Sequence, residues 1–191
     1  MRVALLGGTF DPPHIGHWLA AVDAFEALDL DRLVFVPAAR QPLKQDRETA
    51  PAAARLAMLR AMAEGDPRFA VDPIELERPG LSYTVDTLEE IVGNNTGAEI
   101  FLLIGEDTLA GFSGWKKHAR IREIATIAVM RRAGAPRTGE SMRSDGVVEL
   151  SARRIDVSST EIRERLKSGK SIKGFVPESV ERFITMRRLY S

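Results

Sequence analysis

The chain has 191 residues, 44% hydrophobic and 28% charged, long enough to bury one sizeable core and short for two. Its 27 Lys and Arg balance 27 Asp and Glu, which argues against a nucleic-acid protein held by bulk positive charge and leaves room only for local basic pockets. The absence of cysteine excludes disulfides, thiol nucleophiles and thiolate metal sites. No stretch approaches the roughly 18 to 20 apolar residues that span a bilayer, so no membrane partner is expected and a cytoplasmic protein is.

Residues 3–6 form an apolar run that stops at Gly7-Gly8, the pattern of a buried strand ended by a turn. Thr9, Phe10, Asp11 and two prolines follow. His14-Ile15-Gly16-His17 then falls where a helix over 17–28 should begin. Further strands are predicted at 33–37, 69–72, 100–104 and 125–130, short and apolar as expected when both faces are covered. Helices are predicted over 51–64, with Leu56, Leu59 and Met62 at helical spacing, and over 84–92, with Thr84 as its N-cap. Residues 147–150 and 155–157 read as two more strands, and 134–146 as a polar, turn-rich loop. Ser158, Ser159 and Thr160 open a helix stopped by Gly169, and Pro177 starts a last one. The alternation predicts an α/β fold over residues 1–191 as one domain: a doubly wound, mostly parallel sheet with helices on both faces and a small C-terminal helical extension.

In such a sheet ligands bind beyond the carboxyl ends of the strands. Gly7 and Gly8 let the backbone approach a ligand there, and the next helix start offers free N–H groups. His14 and His17, three apart, project from nearly one face, and each can donate a hydrogen bond to a phosphoryl oxygen. The rival readings are a cap or surface histidine, and a metal chelate with Asp11. His118 is the only other histidine, too few for a dedicated zinc centre, and no metal site is expected. Neither a Walker loop nor a G-x-G-x-x-G fingerprint is present.

Lys44, after the second strand, reads as a phosphate neutraliser or as a solvated lysine. Asp107, just past the fourth, can accept hydrogen bonds from ribose hydroxyls. Trp115 offers a flat face for a ring, worth about 0.5–1.5 kcal/mol beyond burial, or is simply core. Ser158, Ser159 and Thr160 with Arg163 form a second phosphate cradle, or nothing more than a cap.

Gly7-Gly8-Thr9-Phe10-Asp11-Pro12 with His14-Ile15-Gly16-His17 resembles the signature of the nucleotidylyltransferase superfamily, which joins a phosphate or phosphonate to the α-phosphate of a nucleoside triphosphate. Four later segments are similar to the bacterial nicotinate-nucleotide adenylyltransferase family: 37–44, 82–88 (Ser-Tyr-Thr-Val-Asp-Thr-Leu), 104–109 with Phe112 and Trp115, and 157–163. The resemblance implies a Rossmann-like fold, ATP and nicotinate mononucleotide as substrates, and Mg²⁺ carried with ATP. It also implies transfer of the adenylyl group to give nicotinate adenine dinucleotide and pyrophosphate in NAD biosynthesis. By the same resemblance His14 and His17 are catalytic, and ATP is met by Gly7, Gly8, Thr9, Phe10, Gly16, Gly105, Asp107, Ser158, Ser159, Thr160 and Arg163. Asp11, Lys44, Trp115, Arg132 and the backbone of Tyr83, Thr84 and Val85 face the mononucleotide.

Two departures stand out. Gln41-Pro42-Leu43-Lys44 replaces the family's Pro-Pro-His-Lys, removing an imidazole near the substrate phosphate. Arg132-Ala133-Gly134 replaces Arg-Pro-Gly. The alternatives are a related adenylyl- or cytidylyltransferase with another acceptor, such as phosphopantetheine, and a non-catalytic nucleotide-binding module. The oligomeric state stays open, a homo-oligomer included.

Overall fold

The computed structural model describes residues 1–39, 49–132, 146–153 and 155–190, the side chain of Arg132 excepted. Six strands, β1 (Arg2–Gly8), β2 (Arg32–Pro37), β3 (Phe69–Val71), β4 (Glu99–Gly105), β5 (Thr126–Arg132) and β6 (Val147–Ala152), form one sheet in the order β3-β2-β1-β4-β5-β6. Every pairing between them is parallel. Eight helices accompany them among the described residues: α1 (Ile15–Ala27), α2 (Ala52–Ala63), α3 (Ile74–Glu77), α4 (Thr84–Asn94), α5 (Glu106–Leu109), α6 (His118–Ile124), α7 (Ser159–Lys167) and α8 (Glu178–Arg187), with a 3₁₀ turn at Phe112–Gly114.

The alternation of side chains along each strand builds two cores. Ala4, Leu6, Leu33, Phe35, Phe101 and Leu103 face one side, where α1, α2, α7 and α8 bring Ala21, Met58, Leu59, Ile162, Val180 and Ile184. Val3, Leu5, Val34, Ile100, Leu102 and Ile127 face the other, met by Ile74 from α3, Val85 and Leu88 from α4 and Ile121 from α6. The C-terminal helices therefore complete a layer of the core. Among the described residues no helix is long and apolar enough to cross a membrane.

Two sequence expectations need correction. Residues 155–157 carry no strand. After β6 the backbone N–H of Arg153 donates to Asp23 of α1 at 3.0 Å, and Ile155 comes near Gly16. The chain there leaves the sheet and crosses the start of α1 toward α7. Thr84 is not an N-cap either: Tyr83 holds that position, in extended conformation, without a side-chain capping bond. The sheet order reverses between β1 and β4, and the crevice beyond their carboxyl ends is where a doubly wound sheet takes its ligands.

Candidate active site

A cleft of about 700 Å³ opens at that crevice, within the range of ~300–1,000 Å³ usual for small-molecule sites. Its first wall is the loop after β1, with Gly7, Gly8, Thr9, Phe10, Asp11 and His17. A Cβ on Gly8 would stand 3.0 Å from the Phe10 ring, and one on Gly16 3.0 Å from the His14 imidazole. These two glycines leave room for aromatic rings. Phe10 itself has φ 51, a left-handed conformation costing roughly 1–2 kcal/mol. Its buried ring, 4.9 Å from His17 and 6.0 Å from Phe35 between centroids, holds it there.

His14 is the N-cap residue of α1, in extended conformation, and its backbone N–H donates to Nδ1 of His17 at 3.2 Å. With Nδ1 accepting, the proton of a neutral His17 belongs on Nε2. The two rings stack with centroids 3.7 Å apart. Burial lowers the His14 pKa to about 4. Burial, and secondly the His14 charge, push His17 well below the ordinary imidazole value. Both rings are therefore neutral at pH 7, and His17 is a fixed donor on the cleft wall. His14 sits behind it, buried, its Nδ1 without a hydrogen-bonding partner among the described residues.

The loop 9–13 is tied down from three sides. The Asp11 carboxylate, 3% exposed, accepts at Oδ1 from the Ala50 N–H (3.0 Å) and the Tyr190 hydroxyl (2.7 Å). From α7, Nη1 of Arg163 donates to the Asp11 backbone carbonyl and lies 3.4 Å from Oδ2, while Nη2 donates to the Thr160 hydroxyl at 3.2 Å. Ser159 donates to the Pro12 carbonyl at 2.8 Å, and Ser158 caps α7 by accepting the Glu161 N–H at 3.1 Å. From α2, the buried Arg55 guanidinium donates to the carbonyls of Thr9 (2.7 Å), Ala38 (2.8 Å) and Ala50 (3.2 Å). Burial lowers the Arg55 pKa, with the Asp11 and Tyr190 charges opposing, but a guanidinium stays protonated at neutral pH.

The opposite wall is built by the ends of β4 and α4. Gly105, Asp107, Tyr83, Thr84 and Trp115 line it, whereas the Val85 side chain is in the core. Trp115 packs on the buried Phe112, 5.4 Å between centroids. Beneath them lies Glu75, 9% exposed, which accepts the Thr87 hydroxyl at 2.9 Å. Burial raises its pKa, opposed by hydrogen bonds from Thr87 and Ser82 and by the Arg78 charge. The Ser82 hydroxyl also accepts the Ala39 N–H at 3.2 Å, which joins the approach to α4 to the end of β2.

Fifteen of the residues anticipated from sequence thus meet around one cleft: Gly7, Gly8, Thr9, Phe10, Asp11, His17, Tyr83, Thr84, Gly105, Asp107, Trp115, Ser158, Ser159, Thr160 and Arg163. His14 and Gly16 lie directly behind His17. Lys44, with its altered neighbours 41–43, falls outside the described residues, as do the side chain of Arg132 and nearly all of the 134–146 loop. Sequence reasoning missed Arg55, Glu75 and Tyr190. Arg55 did leave a signal, since it shares the core stripe of Met58, Leu59 and Met62, where an unpaired charge has no place.

Residues 5–165 match the family described as cytidylyltransferase-like. A curated relative from Thermus thermophilus, called a probable nicotinate-nucleotide adenylyltransferase, is 47% identical over 191 residues, covering all of both chains. Another of that name, from Gemmatimonas aurantiaca, is 45% identical over 196 residues, covering 100% of this chain and 92% of its own. The solved structure of the Plasmodium falciparum nicotinic acid mononucleotide adenylyltransferase complexed with NaAD has the same fold. It superposes with a TM-score of 0.72 at 14% identity, covering 99% of this chain and 97% of that one.

Proposed function

This chain belongs to the nicotinate-nucleotide adenylyltransferases of the cytidylyltransferase-like family, and we propose that it performs their reaction in the cleft beyond β1 and β4. It transfers the adenylyl group of ATP to nicotinate mononucleotide, giving nicotinate adenine dinucleotide and pyrophosphate, a step of NAD biosynthesis. The observation that carries this reading is the single cleft itself. It joins a neutral, oriented His17 and the start of α7 on one wall to the start of α4 and Trp115 on the other.

The attacking mononucleotide phosphate is an anion near pH 7, so the protein need not supply a general base. Its work is alignment and stabilisation of the charge that gathers on the α-phosphate. His17 donates through Nε2–H to the α-phosphate oxygens, and His14, stacked behind it, acts in catalysis by holding that ring. Gly7, Gly8, Thr9 and Phe10 shape the wall against which ATP lies, Gly16 serves it from behind by leaving room for the His14 ring, and Gly105 with Asp107 receives the ribose. The hydroxyls of Ser158, Ser159 and Thr160, the α7 N-terminus and Arg163 hold the β- and γ-phosphates. ATP is taken with Mg²⁺ on its triphosphate, where the ion offsets charge on the leaving pyrophosphate. Among the described residues no group of three or more His, Asp or Glu is arranged to hold a metal.

For the acceptor, the N–H groups of Tyr83, Thr84 and Val85 bind the nicotinate carboxylate, and Trp115 stacks on the pyridine. Lys44 and Arg132 meet the mononucleotide from its phosphate side. Asp11 supports the loop between the two substrates. Pyrophosphate release from ATP should be measured with nicotinate mononucleotide, nicotinamide mononucleotide and phosphopantetheine in parallel. Release with the nicotinate compound well above the other two supports the reading. Release with phosphopantetheine alone, or ATP binding without turnover, overturns it.

A further inference from the structure

Residues 188–190, after α8, turn back toward the loop that follows β1. Arg188 has φ 49 and Tyr190 φ 66, two left-handed residues in one short turn. The Leu189 N–H donates to the Ile184 carbonyl at 3.1 Å, and both Leu189 and Tyr190 pack on the core beside α8. The turn delivers the Tyr190 phenol to Asp11, 179 positions earlier in the chain, at 2.7 Å. Burial first, and then the hydrogen bond to Asp11, raise the Tyr190 pKa, so the phenol remains a donor at neutral pH.

Asp11 thereby stands between two groups. Its Oδ1 is held by Tyr190 and Ala50, while Oδ2 faces Nη1 of Arg163 at 3.4 Å, longer than a charge-assisted bond of about 2.8 Å. That contact is a long ion pair; the shorter Arg163 hydrogen bonds go to the Asp11 carbonyl and to Thr160, and all three residues line the cleft. The Arg55 charge also acts on Asp11, but its hydrogen bonds from Nη1 and Nε go to three carbonyls, whereas Arg163 already has Nη1 3.4 Å from Oδ2. A buried carboxylate that loses a donor is costly and recruits the nearest one available. Here that is Arg163.

We infer that Tyr190 is a positioning residue for the ATP side of the site: by sharing Asp11 it keeps the Arg163–carboxylate ion pair long, so that the guanidinium stays available to the cleft it lines. This rests on Arg163 as a triphosphate ligand. The phenol touches no substrate, and its effect reaches ATP through Asp11 and Arg163.

The test is steady-state kinetics with each substrate varied separately, on Tyr190→Phe, Asp11→Asn, the double variant and Arg163→Ala, with thermal unfolding alongside. Y190F should raise KM for ATP about three- to tenfold, the loss of one well-made hydrogen bond. KM for nicotinate mononucleotide should stay within about twofold, and the unfolding midpoint should move little. In the D11N background the same substitution should change KM for ATP less than about twofold, because the charge that pulls Arg163 is gone. Equal rises for both substrates, an unchanged KM for ATP, or an undiminished effect in D11N would each overturn the inference. An unfolded Y190F chain would do so too, since the bond would then hold the fold. R163A separates the two layers. If it leaves KM for ATP unchanged, the triphosphate role fails. If it raises that KM and Y190F does not, only the role of Tyr190 fails.

Discussion

In the proposed reaction His17 would act through one hydrogen atom, whose place is fixed by the backbone of His14. Replacing it with Ala should lower kcat about 100-fold or more, by analogy with loss of one oxyanion donor. Turnover within threefold of the parent would remove His17 from the reaction. Gly16→Ala approaches the same ring pair from behind: its methyl would stand 3.0 Å from the His14 imidazole. We expect a loss of kcat approaching that of H17A with the fold intact by circular dichroism. A fully active G16A would mean that the pair tolerates displacement. The double glycine, the two histidines and the serine-rich helix start were all legible in the sequence, because each is a short local pattern. The neutral state of the histidines was not, since it comes from rings and chain segments distant in sequence.

At the scale of elements, α2 matters more than its apolar stripe foretold. Its Arg55 bonds the loop after β1, the end of β2 and its own N-terminal approach through one buried fork. Arg55→Met should cost about 3 kcal/mol or more, leaving three carbonyls without their donor. Arg55→Lys should recover little, because a single ammonium cannot span three acceptors in fixed directions. Urea unfolding measures both, and a loss below about 1 kcal/mol for R55M would show that water replaces the fork freely. The strands were readable as apolar runs, and the long helices by their period. The four-residue α3 and α5 and the seven-residue α6 are too short to show a period. The misread strand at 155–157 has the apolar residues of a strand but follows a path set by α1.

For the whole molecule, pH acts through groups with opposite signs. His14 and His17 have folded pKa values below their unfolded ones, so the unfolded chain takes up more protons as pH falls below about 6.5. Their contribution is complete above that pH and is lost on the way down to about 4, the folded value for His14. The His14 shift alone is worth up to about 3 kcal/mol. Glu75 runs the other way, its raised pKa weakening the fold as pH climbs through the folded value. Denaturant unfolding should therefore find the protein less stable at pH 5 than at pH 7, and His14→Gln should flatten that slope. An equal slope in the variant would show that other groups carry the acid sensitivity. The order of the strands, which puts these groups in one crevice, is a property of the whole sheet. The alternation of strand and helix predicted a doubly wound, mostly parallel sheet, but a local pattern carries no strand order.

The ring of Trp115 on the cleft wall also makes the protein its own optical sensor. The chain has two tryptophans, and the other, Trp18 of α1, is partly buried against the core, 4.8 Å from Phe69 between centroids. In a Trp18→Phe variant all indole emission comes from the cleft. A pyridinium stacked on that indole withdraws its excited-state electron, so nicotinate mononucleotide should quench the emission saturably while ATP alone leaves most of it. The fold thus sets one light source on the cleft wall and keeps the second out of the way.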